Sequence, residues 1–424
     1  MSESRLSVLH LSTHDLAGGA SRAAYRIHQC LQTANIASHM LVRSRQSQDP
    51  RILTAPRGVA GAYWRLLPAI DRLCRRLHGV RDGNPRSYNA LPATTIRRLT
   101  RSLAFDCVFV HFTSQGFVTP AEIASLQKPI VMILHDMWPF CGSEQYTEDA
   151  RRFVEGYSAA NRPNNAVRLD LDRWVWNRKQ KAYRRCKIAV VGNSRWTTEL
   201  SSNSALFRDR SHRTIHYPLN LDVYRPLDQR HSRQLFGLPA DKRLILFGAV
   251  AATTDPRKGF DLFLPAIKRL AMNRQDLMLV VFGADKPASE SALGIPAHYV
   301  GALRDDYSLA ALYNAADVLV VPSRMEAFGQ TALESLACGT PCVAFRTGGL
   351  VDTIDHQING YLADPLSETD LAAGIAWTLD RHGANRDLLQ VAREKAVAMS
   401  SPVSVAQRYR ELLVDLIGGR GTRG

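Results

Sequence analysis

EAFGQTALESLACGTPCVAF, residues 326–345, is the stretch from which the fold is read. The run before it, ADVLVVP at 316–322, is apolar and β-branched, as in strands buried on both faces of a parallel sheet. The run Pro341–Phe345 at its end has the same character. Between them lie a short loop and a helix-forming segment. The order is strand, loop, helix, strand, one repeat of an α/β fold. Glu326 falls on the loop at the carboxyl end of the first strand, where open α/β sheets bind ligands. The amides of Ala327, Phe328 and Gly329 are expected at the helix N-terminus, a place that favours an anion. Glu334 stands eight positions after Glu326, about a turn into the helix. Amides for an anion and two carboxylates for hydroxyls suit a phosphorylated sugar.

Working outward, RLILFGAV (243–250) reads as a strand, AATTDPRKG as its loop and FDLFLPAIKRL as the following helix. Arg257 and Lys258 stand just before Gly259 at that helix mouth, two cations placed to neutralise a diphosphate. LMLVVF (277–282) continues the pattern. The first half repeats it. LSVLHLS (6–12) is a strand, and Gly18 and Gly19 allow backbone close to a ligand before a helix from Ala20. FDCVFVH (105–111), PIVMILH (129–135) and KIAVVGN (187–193) are further strands. His135 and Asp136 stand at the carboxyl end of the second of these. PLNLDVYRP (218–226) marks a boundary. The expected fold is α/β with two doubly wound domains, 1–218 and 219–405.

The length of 424 residues suits two domains, and 45% hydrophobic with 22% charged residues is ordinary for globular chains. No run of 18 apolar residues occurs, so no membrane-spanning helix is expected, and the N-terminus lacks a signal-peptide pattern. Seven cysteines, none in a CxxC pair, suit a reducing cytoplasm better than a disulfide framework or zinc site. The net charge of +15 is uneven. Residues 1–220 hold 32 Lys and Arg against 16 Asp and Glu, whereas 221–424 hold 22 against 23. That asymmetry favours an anionic partner on the first domain: membrane lipid, a phosphate-bearing acceptor or nucleic acid, the last least expected. Residues 60–81 place Tyr63, Trp64, Leu66, Leu67, Ile70, Leu73 and Leu77 at helical spacing, interleaved with Arg65, Arg72, Arg75, Arg76 and Arg81. Such a basic amphipathic helix suits an anionic membrane surface. The segment 172–185 adds Arg173, Arg178, Lys179, Lys181, Arg184 and Arg185 as a second candidate for an anionic acceptor.

The 326–345 segment, with the flanks ADV-x-V-x-PS and LA-x-G-x-P, resembles the Glu-x7-Glu motif of retaining family-4 glycosyltransferases. These have the GT-B fold, two Rossmann-like domains with a cleft between them. HDMWPF at 135–140 resembles a subset that builds bacterial polysaccharides. By that resemblance Glu326 contacts the transferred sugar and Glu334 the donor ribose. His135, with Asp136 beside it, contacts the donor sugar or positions the acceptor, and the Gly18–Gly19 loop faces the donor diphosphate. A lysine before the glycine, here Lys258, is usual in the family. An arginine usually follows the strand glycine. Here Ala249 follows Gly248, and Arg257 is the candidate replacement. Tyr299–Leu303 resembles the segment touching the nucleobase, FRTGGLVDTI (345–354) and NGYL (359–362) resemble the ending of the family's second domain, and by the same resemblance a C-terminal helix, 406–424, returns toward the first.

The implied function is hexosyl transfer from a nucleotide-diphosphate sugar to a saccharide acceptor, expected to be lipid-linked, in exopolysaccharide or lipopolysaccharide synthesis. Configuration is expected to be retained. No cofactor or metal is expected, since no Asp-x-Asp stands near these sites and Asp305-Asp306 reads as a helix N-cap. The expected location is cytoplasmic, peripheral on the inner membrane. Two other readings stand beside it, a sugar-nucleotide epimerase on the same fold and a non-catalytic basic protein binding membrane or nucleic acid. The second has no need of the Glu326 and Glu334 pair.

Overall fold

A computed structural model describes residues 6–54, 58–78, 84–93, 96–148, 150–163, 169–248, 255–284, 294–382 and 386–418. Arg81 and Ala249 lie outside the described residues. The chain forms two compact units, Met1–Pro218 with Pro402–Gly424, and Leu219–Ser401.

The first unit is built on seven strands: β1 Ser7–His14, β2 Ala37–Ser44, β3 Ile52–Leu53, β4 Cys107–Val110, β5 Ile130–Leu134, β6 Ile188–Gly192 and β7 Ser211–Thr214. They pair in parallel in the order β3-β2-β1-β4-β5-β6-β7. β4, β5 and β6 are apolar and buried throughout, because helices cover both faces of a parallel sheet. β7, SHRT, is polar and alternates exposed with half-buried positions, as an edge strand does.

Helix Val59–His78 runs through Pro68 and has two different faces. Trp64, Leu67, Asp71 and His78 face inward. Trp64 packs edge-on against Phe117, and its indole N–H donates to the Ala93 carbonyl at 3.0 Å. Asp71 accepts from the amides of Tyr88 and Asn89 at 2.8 and 2.9 Å. Leu66, Leu73 and Leu77, one side of the helix by their spacing, are exposed, as are Arg65, Arg72 and Arg75. The sequence pattern had placed all these leucines on one apolar face with Trp64 and Leu67; the structure splits them between two.

The last helix, Pro402–Gly418, belongs to the first unit. It buries Val405, Ala406, Tyr409, Leu412, Leu413 and Leu416, with Tyr409 against Phe109 of β4.

The second unit has six parallel strands: β8 Arg243–Gly248, β9 Leu277–Phe282, β10 Ala297–Gly301, β11 Val318–Val321, β12 Cys342–Phe345 and β13 Gly360–Ala363. Their order is β10-β9-β8-β11-β12-β13. Ile245, Phe247, Val281, Val320 and Phe345 join Phe263, Ile267, Ile375 and Leu379 of flanking helices in one core. Both sheets are therefore doubly wound, and each reverses direction once, between β1 and β4 and between β8 and β11. Those crevices, at the strands' carboxyl ends, are where such sheets take ligands.

Candidate active site

In the second unit the loops after β8, β11 and β12 converge. The loop after β8 ends in a tight turn, Pro256–Lys258, capped by Asp255. Gly259 follows with φ 68° and opens helix Phe260–Ala271. A Cβ on Gly259 would stand 1.9 Å from the Pro322 carbonyl oxygen, so only glycine lets this turn reach the end of β11. Gly348, after β12, is confined in the same way by the Glu326 carbonyl oxygen at 2.0 Å, and the Gly349 amide donates to that oxygen at 2.8 Å.

These approaches bring Lys258 and Glu326 together across the switch point. Lys258 Nζ donates to Glu326 Oε2 at 2.7 Å, with the two side chains 25% and 17% exposed. Burial alone would raise the Glu326 carboxyl. Lys258, Arg257 and the Phe328 amide together hold it below its ordinary value. The Phe328 amide therefore serves the Glu326 carboxylate, a role the sequence did not suggest. The helix itself runs Gln330–Ala337, capped by Gly329 at φ 89°. Ala327, Phe328 and Gly329 precede it and are buried. Arg257 forks onto Asp255, with Nη2 to Oδ2 at 2.6 Å and Nε to Oδ1 at 3.2 Å. Glu334 lies deeper, and its Oε2 accepts from the buried Tyr313 hydroxyl at 2.9 Å.

In the first unit Gly18 and Gly19 follow β1 and are exposed, and an added Cβ at Gly18 would meet nothing within 4 Å. Gly18 has φ 83° and caps helix Gly19–Thr33. Asp15 steadies this loop by accepting from the Gln46 and Ser47 amides at 2.9 and 2.8 Å.

His135 and Asp136 follow β5 and are buried. Both nitrogens of His135 are engaged within the protein, Nε2 with His111 Nδ1 at 3.0 Å and Nδ1 with the Tyr217 hydroxyl at 2.5 Å. Asp136 Oδ1 accepts from the Trp138 amide at 3.0 Å.

Lys179 departs from its expectation as a surface cation. It is wholly buried, and its Nζ donates to the carbonyls of Trp138, Cys141 and Gly142. It pins the loop that follows His135 and Asp136. Arg178 likewise donates to the Tyr88 and Asn89 carbonyls at 3.2 and 2.8 Å, while Arg173, Lys181, Arg184 and Arg185 stay exposed.

Two family models match the two halves of the chain. One, Glycosyltransferase Family 4, covers residues 17–222, and the other, Glycosyl transferases group 1, covers 228–395. The chain has the GT-B fold. Among similar curated proteins is a D-inositol 3-phosphate glycosyltransferase 2 from Catenulispora acidiphila. It is 33% identical over 224 residues, 48% of this chain and 51% of that protein. A D-inositol 3-phosphate glycosyltransferase from Thermobispora bispora is 34% identical over 177 residues, 38% and 41% of the two chains. The GT-B chain thus spans about half the length or less of these relatives. Sucrose-phosphate synthase from Thermosynechococcus elongatus has a solved structure of TM-score 0.67 and 20% identity, covering 98% of this chain and all (100%) of that one. HepE from Anabaena, solved with UDP and glucose, superposes with TM-score 0.65 at 16% identity, covering 96% and 99%. At these identities the solved structures establish the fold alone.

Proposed function

We propose that this chain transfers a hexosyl group from a nucleotide-diphosphate sugar to a saccharide acceptor, with retention of configuration and without a metal. The observation carrying this reading is the Lys258–Glu326 pair at the switch point of the second unit. A cation and a carboxylate side by side match a donor with an anionic diphosphate next to a hydroxyl-bearing sugar. A bound diphosphate competes for Lys258, which frees Glu326 to accept from sugar hydroxyls. Glu334 is the candidate contact for the donor ribose, and the Gly18–Gly19 loop the candidate neighbour of the diphosphate. The chemistry then rests on orientation and on stabilising the leaving diphosphate, which takes the acceptor's proton on the same face.

The acceptor belongs to the basic first unit in this reading, as a lipid-linked saccharide of surface polysaccharide synthesis at the cytoplasmic membrane face. What supports it is the helix Val59–His78, whose exposed leucines stand beside exposed arginines. No described helix is long and apolar enough to cross a membrane.

The test is nucleotide release from a panel of UDP-, GDP-, ADP- and dTDP-sugars in the presence of EDTA, wild type beside Glu326→Ala. Slow release from one donor, lost in the variant, is the expected result. Epimerisation of a donor without release, or equal release by both proteins, overturns the proposal.

A further inference from the structure

Five adjacent strands of the first sheet, β1, β4, β5, β6 and β7, contribute to one buried line of polar side chains. His10 lies within β1, His111 just beyond β4, His135 just beyond β5, Asn193 just beyond β6 and Tyr217 after β7. His10 Nδ1 meets His111 Nε2 at 2.8 Å, and His111 Nδ1 meets His135 Nε2 at 3.0 Å. His135 Nδ1 meets the Tyr217 oxygen at 2.5 Å, and Asn193 Nδ2 donates to that same oxygen at 2.7 Å. All five side chains are buried.

Burial pushes the imidazoles of His10 and His111 well below their ordinary range, with neighbouring histidines adding to it, and His135 down to about 3. All three are neutral at physiological pH. A neutral imidazole has one N–H and one bare nitrogen. His111 and His135, each between two partners, therefore donate on one side and accept on the other, and the contacts must all point the same way.

The Tyr217 end gives the direction. Asn193 places its Oδ1 2.9 Å from the Thr197 hydroxyl and its amide nitrogen toward Tyr217. The 2.5 Å contact lies below the range of N–H donors and at the short end of the range of O–H donors. Tyr217 therefore donates to His135, His135 Nε2–H to His111, and His111 Nε2–H to His10. The line ends at His10 Nε2, which has no hydrogen-bond partner among the described residues.

We propose that Tyr217 sets the tautomers of His135, His111 and His10 in one direction. The relay ties neighbouring strand ends together beneath the ligand crevice and keeps both His135 nitrogens from the substrate. His135 is then a positioning residue. That role rests on the transferase reading, whereas the relay itself does not.

The test uses the full chain labelled with 15N-histidine, with two-bond proton–nitrogen correlation at neutral pH. His10, His111 and His135 are each expected with Nε2 protonated and Nδ1 bare. Nδ1 protonation of His135 in the wild type overturns the proposal, and no variant is needed to see it. Tyr217→Phe keeps the ring and removes the donor. The expected result is loss of the pure Nε2–H form at His135 and also at His111, which Tyr217 reaches through His135. A change confined to His135 shows a local contact only and refutes the relay. In a transfer assay, the positioning role predicts a several-fold lower kcat for Tyr217→Phe with donor KM kept. If the wild type transfers nothing, the spectra still decide the relay.

Discussion

Replacing Lys179 by methionine isolates what one buried cation does for the first unit. Its ammonium donates to the carbonyls of Trp138, Cys141 at 3.0 Å and Gly142 at 2.8 Å, and lies 3.7 Å from the centre of the Trp138 ring. Methionine fills similar space and donates nothing. Each buried carbonyl left without a donor costs roughly 1–3 kcal/mol. Removing the burial cost of the ammonium offsets part of that, for a net loss of about 3–5 kcal/mol. In a domain of this size each kcal/mol shifts Tm by about 2–4 °C, so a fall on the order of 10 °C is expected. Tryptophan fluorescence is a selective probe, because Trp64, Trp138, Trp174, Trp176 and Trp196 lie in the first unit and only Trp377 in the second. Burial lowers the Lys179 pKa to about 7, against about 10.4 for a free lysine. Between those values the unfolded chain binds the extra proton, so this group's contribution rises with pH and is lost as pH falls toward 7. The gap between wild type and variant should widen from pH ~7 to ~9. A Tm change under about 2 °C at neutral pH refutes the account of Lys179 as the pin of this loop.

Deleting residues 402–424 removes Val405, Tyr409, Leu412, Leu413 and Leu416 from the first unit's core. At about 1.5–3 kcal/mol per large side chain this approaches or exceeds a domain's whole stability. Calorimetry should show the first unit's transition lost and the second's kept; two intact transitions refute it. Vesicles of phosphatidylglycerol and phosphatidylethanolamine should retain the full chain in flotation, and Arg65→Ala and Arg72→Ala should each weaken retention by about 5-fold, from about 1 kcal/mol per arginine. Equal retention by neutral vesicles, or none by anionic ones at physiological salt, removes the membrane reading.

The succession of strands and helices and the place of Glu326 at a strand's carboxyl end were legible because each rests on local pattern: an apolar run, then a glycine or a carboxylate at its end. Lys179 was misread because a lysine in a charged helix looks solvated, and nothing local reveals three carbonyls folding over it. The leucines of Val59–His78 were read as one face for a similar reason. Helical spacing shows which residues can be apolar together, but burial depends on what packs against them, here Phe117 and Ala93. The Phe328 amide was assigned to an external anion although the Glu326 carboxylate lies within its reach. The histidine line left a trace in LSVLHLS, FDCVFVH and PIVMILH, each an apolar strand carrying one histidine. Joining them needs the adjacency of β1, β4 and β5, which no single segment encodes.

The return of the last helix to the first unit has a consequence for the order in which the protein is made. Synthesis runs from the N-terminus, and early domains usually fold first. Here all of Leu219–Ser401 must emerge before the helix that covers Phe109 and its neighbours. At about 5–20 residues per second that is an interval of roughly 10–40 s. The second unit is contiguous and can close on leaving the ribosome. The first, begun earlier, waits with an open apolar face. The half of the protein that starts first is the half that finishes last, and its nascent form is the one most exposed to aggregation and to chaperones.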